Sequence, residues 1–520
     1  MTADKPVPGE LVAALDMGAS AIRLVIAEAS SDRSIRTVEE ASRGVLLGRD
    51  TFSGGVIRPK TADATFAALE GFRTIIDTYQ VQHIRAVATS AVREARNSEL
   101  FLDRVRGRTG ITFEIINEAE ESRLVYLAVR AALCGHAALK SAWTLLVEVG
   151  GGSTSLTLLR RGKPNRSGVY ALGAVRLRQV LDLRRHTHDL QVALLKRSIA
   201  NVIEEIGVSI PLERVTQVVA IGGDVRLAAS QIQEHQDGDG LDEIPIETFL
   251  AFCDEVERLD EDSLVNRFRL PVVEAETLLP ALLVYRALLA RTAARQVVVS
   301  AASLRAGMLL DFIQPKGRVG TEDFERQVLA SAEAVGHRFA FDRAHGHHVA
   351  MLATRLFDEL REEHGLSDRE RLLLQTASIL HDVGIYISLR SHHKHSQYLL
   401  AASQIFGLSD EETAVVSNVA RYHRGRSPQQ SHLPYVALDR GDRLLVTKLA
   451  AILRVANALD AEHLQKIQNL RLARGENSWV LELEGAGDLT MEQMVAKART
   501  DMFVEVFGRQ LVIRQARVGG

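Results

Sequence analysis

The feature that most constrains the fold is a pattern that occurs twice: an apolar run carrying one acid, a glycine turn, and a second apolar run. The first copy, residues 11–28, has Asp16 two positions before Gly18. The second copy, "TLLVEVGGGSTSLTLL" at residues 144–159, has Glu148 two positions before Gly150. Apolar runs on both sides of a glycine turn predict a β-hairpin. Because the pattern recurs, we expect two related halves.

The chain around these hairpins alternates between strand-like and helical patterns, which predicts an α/β fold. Strand patterns cover residues 84–92 and 168–177, and helical patterns cover residues 60–79, 97–107 and 189–206. A strand also leads into a helix at residues 113–133, 217–230 and 296–313.

The character of the sequence changes after "QPKGRVG", residues 314–320. Helical periodicity then predominates to about residue 465, and Val349, Leu352, Leu356 and Leu360 share one helical face. The end of the chain predicts a hairpin at 469–485, a helix at 490–508 and a strand at 509–516. We therefore expect four domains, with bounds at 1–130, 131–318, 319–465 and 466–520.

Composition excludes several classes of protein. The net charge of −3 gives no overall attraction to nucleic acid or to an anionic membrane. The two cysteines cannot form a disulfide framework, which indicates a reducing compartment. The start, "MTADKPVPGE", lacks the features of a signal peptide, and no apolar run reaches the roughly 20 residues that span a bilayer. We expect a cytoplasmic protein without a membrane or nucleic-acid partner.

The glycine turns have the chemistry of an anion site. Glycine lets backbone approach a ligand closely, and consecutive N–H groups in a turn hold anions. Asp16 and Glu148 would repel a phosphate unless a cation or a water lies between them, so the pattern predicts phosphoryl transfer with Mg²⁺ or Mn²⁺. The alternative is that the glycines only make tight hairpins.

Several segments resemble the exopolyphosphatase / guanosine pentaphosphate phosphohydrolase (Ppx/GppA) family, within the actin, sugar-kinase and Hsp70 superfamily. They are "LDMGASAIRLVI", "VATSAVREARN", "INEAEESRLVYLAV", "VEVGGGSTSL", "LGAVRL" and "SLRAGML", in that order along the chain. The resemblance implies two actin-like, ribonuclease H-like domains, then an all-α domain similar to HD domains and a small α+β domain.

The resemblance also implies roles for individual residues. Glu121 would be the base that activates the attacking water, Arg93 would clamp the terminal phosphate, and Glu148 would hold Mg²⁺ or water. The phosphate-binding set would be Asp16, Gly18, Ser20, Gly150, Gly151, Gly152, Ser153 and Thr154, with Asp16 and Glu148 as the ligands of the metal.

Four departures from the family pattern cluster around the predicted phosphate site. The first loop reads Ala19-Ser20-Ala21 instead of Ser-Asn-Ser, and Glu148 replaces an Asp. Ser155 replaces a Glu, and Asp224 follows a later glycine pair. Two interpretations remain open: an altered substrate or metal preference, or a weakly active regulatory protein.

The third predicted domain is rich in histidine. His345 and the pair His381-Asp382 resemble the H…HD…D pattern of HD-domain phosphohydrolases, which holds one or two divalent metals. Asn457 stands where the last Asp ligand is expected, and further histidines that could line the site are His392, His393, His395 and His423. The alternative is a helical domain that keeps its histidines for packing.

The sequence favours a Mg²⁺-dependent exopolyphosphatase that removes the terminal phosphate of inorganic polyphosphate. The alternatives are a guanosine pentaphosphate 5'-phosphohydrolase and a polyphosphate- or alarmone-binding regulator with little activity. A kinase of the same superfamily has weaker support, because Gly222-Gly223-Asp224 is a thin basis for an adenosine site. The resemblance further implies a homodimer through the C-terminal domains.

Overall fold

A computed structural model describes residues 10–29, 35–233, 241–313, 320–403, 405–475 and 478–515. The chain forms two compact units, Met1–Asp323 and Phe324–Gly520. The domain boundary predicted near residue 318 lies outside the described residues, as do two residues of the turn expected at 475–477.

The first lobe of the first unit is built on a five-stranded sheet with the order β3-β2-β1-β4-β5. β1 and β2 form the predicted hairpin, and β4 pairs with β1 in parallel. The strands are β1 (Leu11–Met17), β2 (Ala21–Ala29), β3 (Ile35–Gly44), β4 (His83–Ala88) and β5 (Glu114–Ile115). The helices are α1 (Leu47–Gly54), α2 (Pro59–Thr78), α3 (Ser90–Arg93), α4 (Ser98–Thr109) and α5 (Glu118–Ala132).

The second lobe repeats this topology in a six-stranded sheet with the order β10-β11-β9-β6-β7-β8. The strands are β6 (Thr144–Val149), β7 (Thr154–Arg160), β8 (Lys163–Tyr170), β9 (Gln217–Ile221), β10 (Leu241–Pro245) and β11 (Gln296–Ser300). The helices are α6 (Ala137–Lys140), α7 (Ala174–Val180), α8 (His188–Ser209), α9 (Gly223–Ile232), α10 (Ile246–Glu257), α11 (Glu261–Phe268), α12 (Val272–Leu289) and α13 (Leu304–Ile313). Short 3₁₀ helices occupy Leu183–Arg185 and Leu212–Arg214.

The repeat is visible in how the strands pair. In each lobe three antiparallel strands, β1–β3 or β6–β8, continue into parallel strands on the other side of the first. Each lobe has its own hydrophobic cluster. The two hairpins predicted from the repeated pattern are therefore equivalent elements of two similar sheets.

The strand predicted over residues 168–177 is correct only in its first part. β8 ends at Tyr170, and α7 begins at Ala174. The N–H groups of Ala174 and Val175 donate to the carbonyls of Gly150 and Gly151 at 3.0 and 2.9 Å. The chain therefore leaves the sheet after Tyr170, because the backbone at Ala174 and Val175 forms hydrogen bonds with the second glycine turn.

The second unit begins with helices and ends in a three-stranded sheet with the order β12-β13-β14, in which β13 and β14 are parallel. Helices α17 and α19 each start with a capping box, Ser367 with Glu370 and Ser409 with Glu412. The helices are α14 (Gly320–Arg338), α15 (Arg343–Glu359), α16 (Arg361–His364), α17 (Asp368–Leu380), α18 (His392–Ala401), α19 (Asp410–Arg421), α20 (Leu433–Val436), α21 (Arg440–Ala458), α22 (Thr490–Lys497) and α23 (Asp501–Phe507), with a 3₁₀ helix at Val383–Tyr386. The strands are β12 (Ile467–Arg474), β13 (Ser478–Gly485) and β14 (Gln510–Gln515).

Within the described ranges, no helix is both long enough and apolar enough to cross a bilayer.

Candidate active site

The turns of the two predicted hairpins lie opposite each other in the first unit. A Cβ atom added to Gly151 would lie 3.0 Å from the Cβ of Ala19, and one added to Gly152 would lie 2.1 Å from the Oγ of Ser90. Glycine is needed at both positions because the opposite lobe leaves no room for a side chain. Together the turns line a cavity of about 760 Å³.

The three predicted carboxylates all line this cavity, and each sits at the end of an element. Asp16 is near the end of β1, Glu148 near the end of β6, and Glu121 in the first turn of α5. The Asn117 side chain caps α5 by accepting from the N–H of Glu120 at 2.9 Å. The cap starts the helix so that Glu121 lies in the cavity wall.

Burial and repulsion between neighbouring carboxylates raise the pKa of two of these carboxyl groups. Burial raises the pKa of Glu121 to about 7, and Glu118 and Asp16 add to the rise while Arg93 opposes it. Burial raises the pKa of Glu148 to about 8, with Glu121 and Asp16 adding to it. A cation bound in the cavity would stabilise the ionised form of these carboxyl groups.

The cavity also fits the divalent cation that the sequence predicted. Mg²⁺ is bound through one or two carboxylates and keeps several of its waters, so it does not need a closed shell of protein ligands. Asp16 and Glu148 are such carboxylates. Two groups of three metal-ligating side chains have ligand atoms within 4.8 Å of one another among the described residues. Both groups lie in the second unit.

Arg93 is held by protein groups beside the base. Its guanidinium donates to the carbonyl of Ile116 at 2.7 Å and to Glu118 at 3.4 Å, and lies 3.8 Å from the carboxylate of Glu121. The structure therefore brings Arg93 next to Glu121, although Arg93 is not among the described residues that line the cavity. Its expected role as a clamp on the phosphate stays a prediction.

The predicted phosphate-binding residues differ in what they offer. Gly18, Ser20, Gly150 and Ser153 line the cavity, together with the close-packed Gly151 and Gly152. Thr154 does not: its side chain is fully buried, and its hydroxyl donates to the carbonyl of Leu172 at 2.8 Å. The prediction that Thr154 belongs to the phosphate-binding set is thus wrong for its side chain, because β7 turns that side chain into the core.

Four arginines that the sequence analysis did not single out also line the cavity: Arg23, Arg43, Arg226 and Arg305. Arg305 donates to the carboxylate of Asp16, and a guanidinium nitrogen of Arg23 lies 3.9 Å from it. Burial lowers the pKa of Arg226, and repulsion from Arg305 and Arg23 lowers it further. This cluster of like charges indicates a site for an anion. Two of the family-like segments contained a signal, since "LDMGASAIRLVI" carries Arg23 and "SLRAGML" carries Arg305.

Part of the cavity lining is apolar. It includes Leu227, Val273 and Pro271, and the lining also includes Gly222, whose φ of 135° is open to glycine only. Asp224 accepts a hydrogen bond from the Thr277 hydroxyl at 2.8 Å, and burial raises its pKa. The acid noted at Asp224 therefore lies within the cavity, as expected from its place after the glycine pair.

The predicted metal ligands of the second unit also come together. The Nε2 atoms of His345 and His381 are 3.2 Å apart, and each is 3.1 Å from the Oδ1 of Asn457. An oxygen of Asp382 lies 3.7 Å from His345 and 3.5 Å from His381. The structure therefore joins residues that are more than 100 positions apart in the chain.

Comparison with known proteins extends over both units. The model of the Ppx/GppA phosphatase family matches residues 25–315, and that of Ppx/GppA phosphatase, domain III, matches residues 328–497. The chain is 25% identical over 462 residues to the guanosine-5'-triphosphate,3'-diphosphate pyrophosphatase of Vibrio parahaemolyticus, covering 85% of this chain and 86% of that protein. It is 24% identical over 456 residues to the protein of the same name from Vibrio vulnificus, with the same coverage.

A solved structure shares the fold of the first unit. An exopolyphosphatase from Cytophaga hutchinsonii matches with a TM-score of 0.53 and 22% identity, covering 59% of this chain and 99% of that one. Ppx/GppA proteins of known structure have actin-like two-domain folds, which agrees with the two similar lobes of this chain. Because the family model matches more than half of the sequence, the chain belongs to the Ppx/GppA phosphatase family, whose members hydrolyse phosphoanhydrides.

Proposed function

We propose that this hydrolase removes the terminal phosphate of inorganic polyphosphate, with Glu121 activating the attacking water. The observation that carries the proposal is the placement of Glu121 in a cavity closed by two glycine turns, with a pKa of about 7. A general base is most effective when its pKa is near the working pH. Glu121 meets this condition at neutral pH.

The remaining residues hold the phosphate and the base. The N–H groups of the turns at Ala19–Ser20 and Gly151–Ser153 would surround the terminal phosphate from both lobes. Arg93 lies 3.8 Å from the carboxylate of Glu121 and would turn its guanidinium, which suits phosphate oxygens, toward the bound substrate. When bound by Asp16 and Glu148, Mg²⁺ would offset the negative charge on the transferred group. The proton taken from water would reside on a Glu121 carboxylate oxygen.

Arg23, Arg226 and Arg305 favour a substrate with several phosphates. They lie in the same cavity as the turns, and burial together with repulsion from Arg305 and Arg23 lowers the pKa of Arg226. A substrate with several phosphates would bring negative charge to all three groups.

A second candidate substrate is guanosine pentaphosphate, with the same terminal reaction. The apolar wall at Leu227, Val273 and Pro271 favours it, since a purine needs an apolar surface for its ring. The Vibrio relatives carry a name that refers to a guanosine nucleotide of this kind.

Parallel phosphate-release assays with long-chain polyphosphate and guanosine pentaphosphate test both candidates. We expect Glu121→Gln to reduce release by at least about 100-fold, because loss of a general base typically costs this much. Glu99→Gln, an exposed position in the first turn of α4, is the matched control and should retain full activity. Full activity of Glu121→Gln would contradict the proposed role.

Substrate choice is tested at the apolar wall. The double substitution Leu227→Ser and Val273→Ser should lower kcat/KM for guanosine pentaphosphate by roughly 10-fold if the base packs there, and leave polyphosphate turnover nearly unchanged. Equal loss with both substrates would argue against a nucleoside site. Tight binding of either substrate without release of phosphate would instead support a binding regulator.

A further inference from the structure

The segment "LGAVRL", residues 172–177, lies directly against the second glycine turn. A Cβ atom added to Gly173 would lie 2.2 Å from the carbonyl carbon of Gly152 and 2.4 Å from the nitrogen of Ser153. Glycine is therefore needed at this position, because the peptide between Gly152 and Ser153 occupies the place of a side chain. The proposed reaction uses no side chain of this segment, so its close packing against the turn calls for another explanation.

The start of α7 fixes the three carbonyls of the glycine turn at residues 150–152. Backbone N–H groups of residues 174–176 donate to the first two carbonyls at 2.9–3.0 Å. The third, the carbonyl of Gly152, accepts from the Nε of Arg176 at 2.5 Å. Backbone therefore holds the first two peptides of the turn, and a side chain holds the third.

Fixing a carbonyl also fixes the N–H group of the following residue. In a trans peptide the two groups point in opposite directions, and the described part of the chain contains no cis peptide. The N–H groups of Gly151, Gly152 and Ser153 therefore point away from the start of α7. They donate to no protein acceptor among the described residues, and all three residues line the cavity. Three donors for an anion thus depend on how these carbonyls are held.

Arg176 is itself held by two groups of the first lobe. Its Nη2 lies 2.5 Å from the carboxylate of Glu94, and its guanidinium lies over the ring of Phe52, 4.0 Å from the ring centroid. Glu94 follows Arg93 directly in the chain. A planar guanidinium that is bound by a carbonyl, a carboxylate and an aromatic ring has little freedom to rotate. The carbonyl of Gly152 is therefore held in one orientation.

We propose that Arg176 is a positioning residue of the phosphate site. It turns the peptide between Gly152 and Ser153 so that the Ser153 N–H donates to an oxygen of the terminal phosphate. Through Glu94 the same guanidinium couples this donor to the first lobe, beside Arg93. The inference rests on the proposed function, since it assigns a role at the same site, and it adds a residue that acts without touching the substrate.

This arrangement predicts a larger effect on turnover than on substrate binding. Charge on the transferred phosphoryl group is stabilised in the transition state by donors that are already in place. Arg23, Arg226 and Arg305 would still hold the rest of the substrate. Loss of one such donor typically costs about 100- to 1,000-fold in kcat, and a misplaced donor costs less. We therefore expect Arg176→Ala to lower kcat by about 10- to 100-fold and to change KM by less than about 3-fold.

The test compares Arg176→Ala with Arg185→Ala in the full-length chain. Arg185 is an exposed arginine paired with Asp182, and its variant is the matched control, which should keep wild-type kinetics. Added guanidinium ion, far below denaturing concentrations, should restore part of the lost kcat in Arg176→Ala and leave the control unchanged. A purely structural role does not predict this rescue. Wild-type kcat in folded Arg176→Ala would overturn the proposal.

Arg176→Lys keeps the proposal testable if Arg176→Ala fails to fold. Lysine keeps the positive charge beside Glu94, but it lacks the planar group that reaches a carbonyl and a carboxylate at once. The variant should melt near the temperature of wild type and still lose about 10-fold in kcat. If folded Arg176→Lys has both the kcat and the phosphate affinity of wild type, the proposal is wrong.

Calorimetric titration with inorganic phosphate separates this inference from the proposed function. Inorganic phosphate binds to the turns without turnover, so its affinity depends on the donors of the turn. Arg176→Ala should weaken its binding by about 5-fold or more, whereas Glu121→Gln should bind it at least as tightly as wild type. Wild type that binds phosphate but releases none from polyphosphate or guanosine pentaphosphate would contradict the proposed function alone. Equal phosphate affinity in wild type and folded Arg176→Ala would overturn the role of Arg176, and a wild type that binds no phosphate would contradict both.

Discussion

Glu121 combines two conditions that a sequence does not reveal by itself. Its place in the first turn of α5 is typical of a solvated glutamate, because acids stabilise helix N-termini. Partial burial and the neighbouring acids Glu118 and Asp16 raise the pKa of this carboxyl to about 7. The family resemblance identified the residue, and its environment explains why it suits general-base chemistry.

The pH dependence of phosphate release should report this carboxyl. Glu121 must be deprotonated to accept a proton from water, and its raised pKa keeps it protonated below about 7. We therefore expect kcat/KM to fall by about 10-fold per pH unit below that value and to level off above it. The measurement is a pH profile at saturating Mg²⁺. A profile that stays flat well below neutrality would contradict the assignment.

Glu148 should destabilise the metal-free protein at high pH. Its folded pKa is about 8 and its ordinary value is 4.5, so the folded state binds the extra proton between these values. Stability is therefore lost as pH rises through this window. Glu148→Gln should raise the free energy of unfolding of the first unit near pH 8 by about 2 kcal/mol, and should have little effect below pH of about 4.

Chemical denaturation of wild type and Glu148→Gln at the two pH values, with chelator present, measures this difference. Added Mg²⁺ should then stabilise the wild type more than the variant, because the variant lacks the carboxylate. If the difference in free energy of unfolding between Glu148→Gln and wild type is the same at both pH values, burial does not raise the pKa of Glu148.

At the scale of elements, the glycine turns were predictable and their neighbours were not. The repeated pattern with Asp16 and Glu148 was sufficient to predict both hairpins, since each turn is local in sequence. The helix at Ala174–Val180 was missed because its start depends on carbonyls of a turn more than 20 residues earlier. Arg226 was missed for a similar reason, since its role depends on Arg23 and Arg305 from distant elements.

The close approach of the lobes should make the second turn intolerant of any side chain. In Gly152→Ala the new methyl would meet Ser90 Oγ at 2.1 Å and the ring of Phe52 at 2.9 Å. We expect a loss of about 2–4 kcal/mol in stability, or a widened cleft with little activity. Thermal unfolding and phosphate release measure the two outcomes.

Gly107→Ala is the control for this substitution. It lies within α4, and an added Cβ there meets no atom within 4 Å. The change should stabilise the protein by up to about 1 kcal/mol, because alanine is the better helix former. If Gly152→Ala and Gly107→Ala behave alike, the two lobes do not meet at the turn as described.

At the scale of the whole molecule, each of the two units buries its own apolar side chains. The sequence predicted a change of character near residue 318, although that boundary lies outside the described residues. Which histidines of the second unit converge could not be read from spacing, since His345 and Asn457 are on different helices. The homodimer stays a prediction, and sedimentation of the purified chain tests it.

Two units with separate cores should unfold in two calorimetric transitions. Gly152→Ala identifies one of them, because it should lower only the melting temperature of the unit that contains the glycine turns. The transition of the other unit should stay in place. A single transition in the wild type, or an equal shift of both transitions in Gly152→Ala, would contradict two independently folding units.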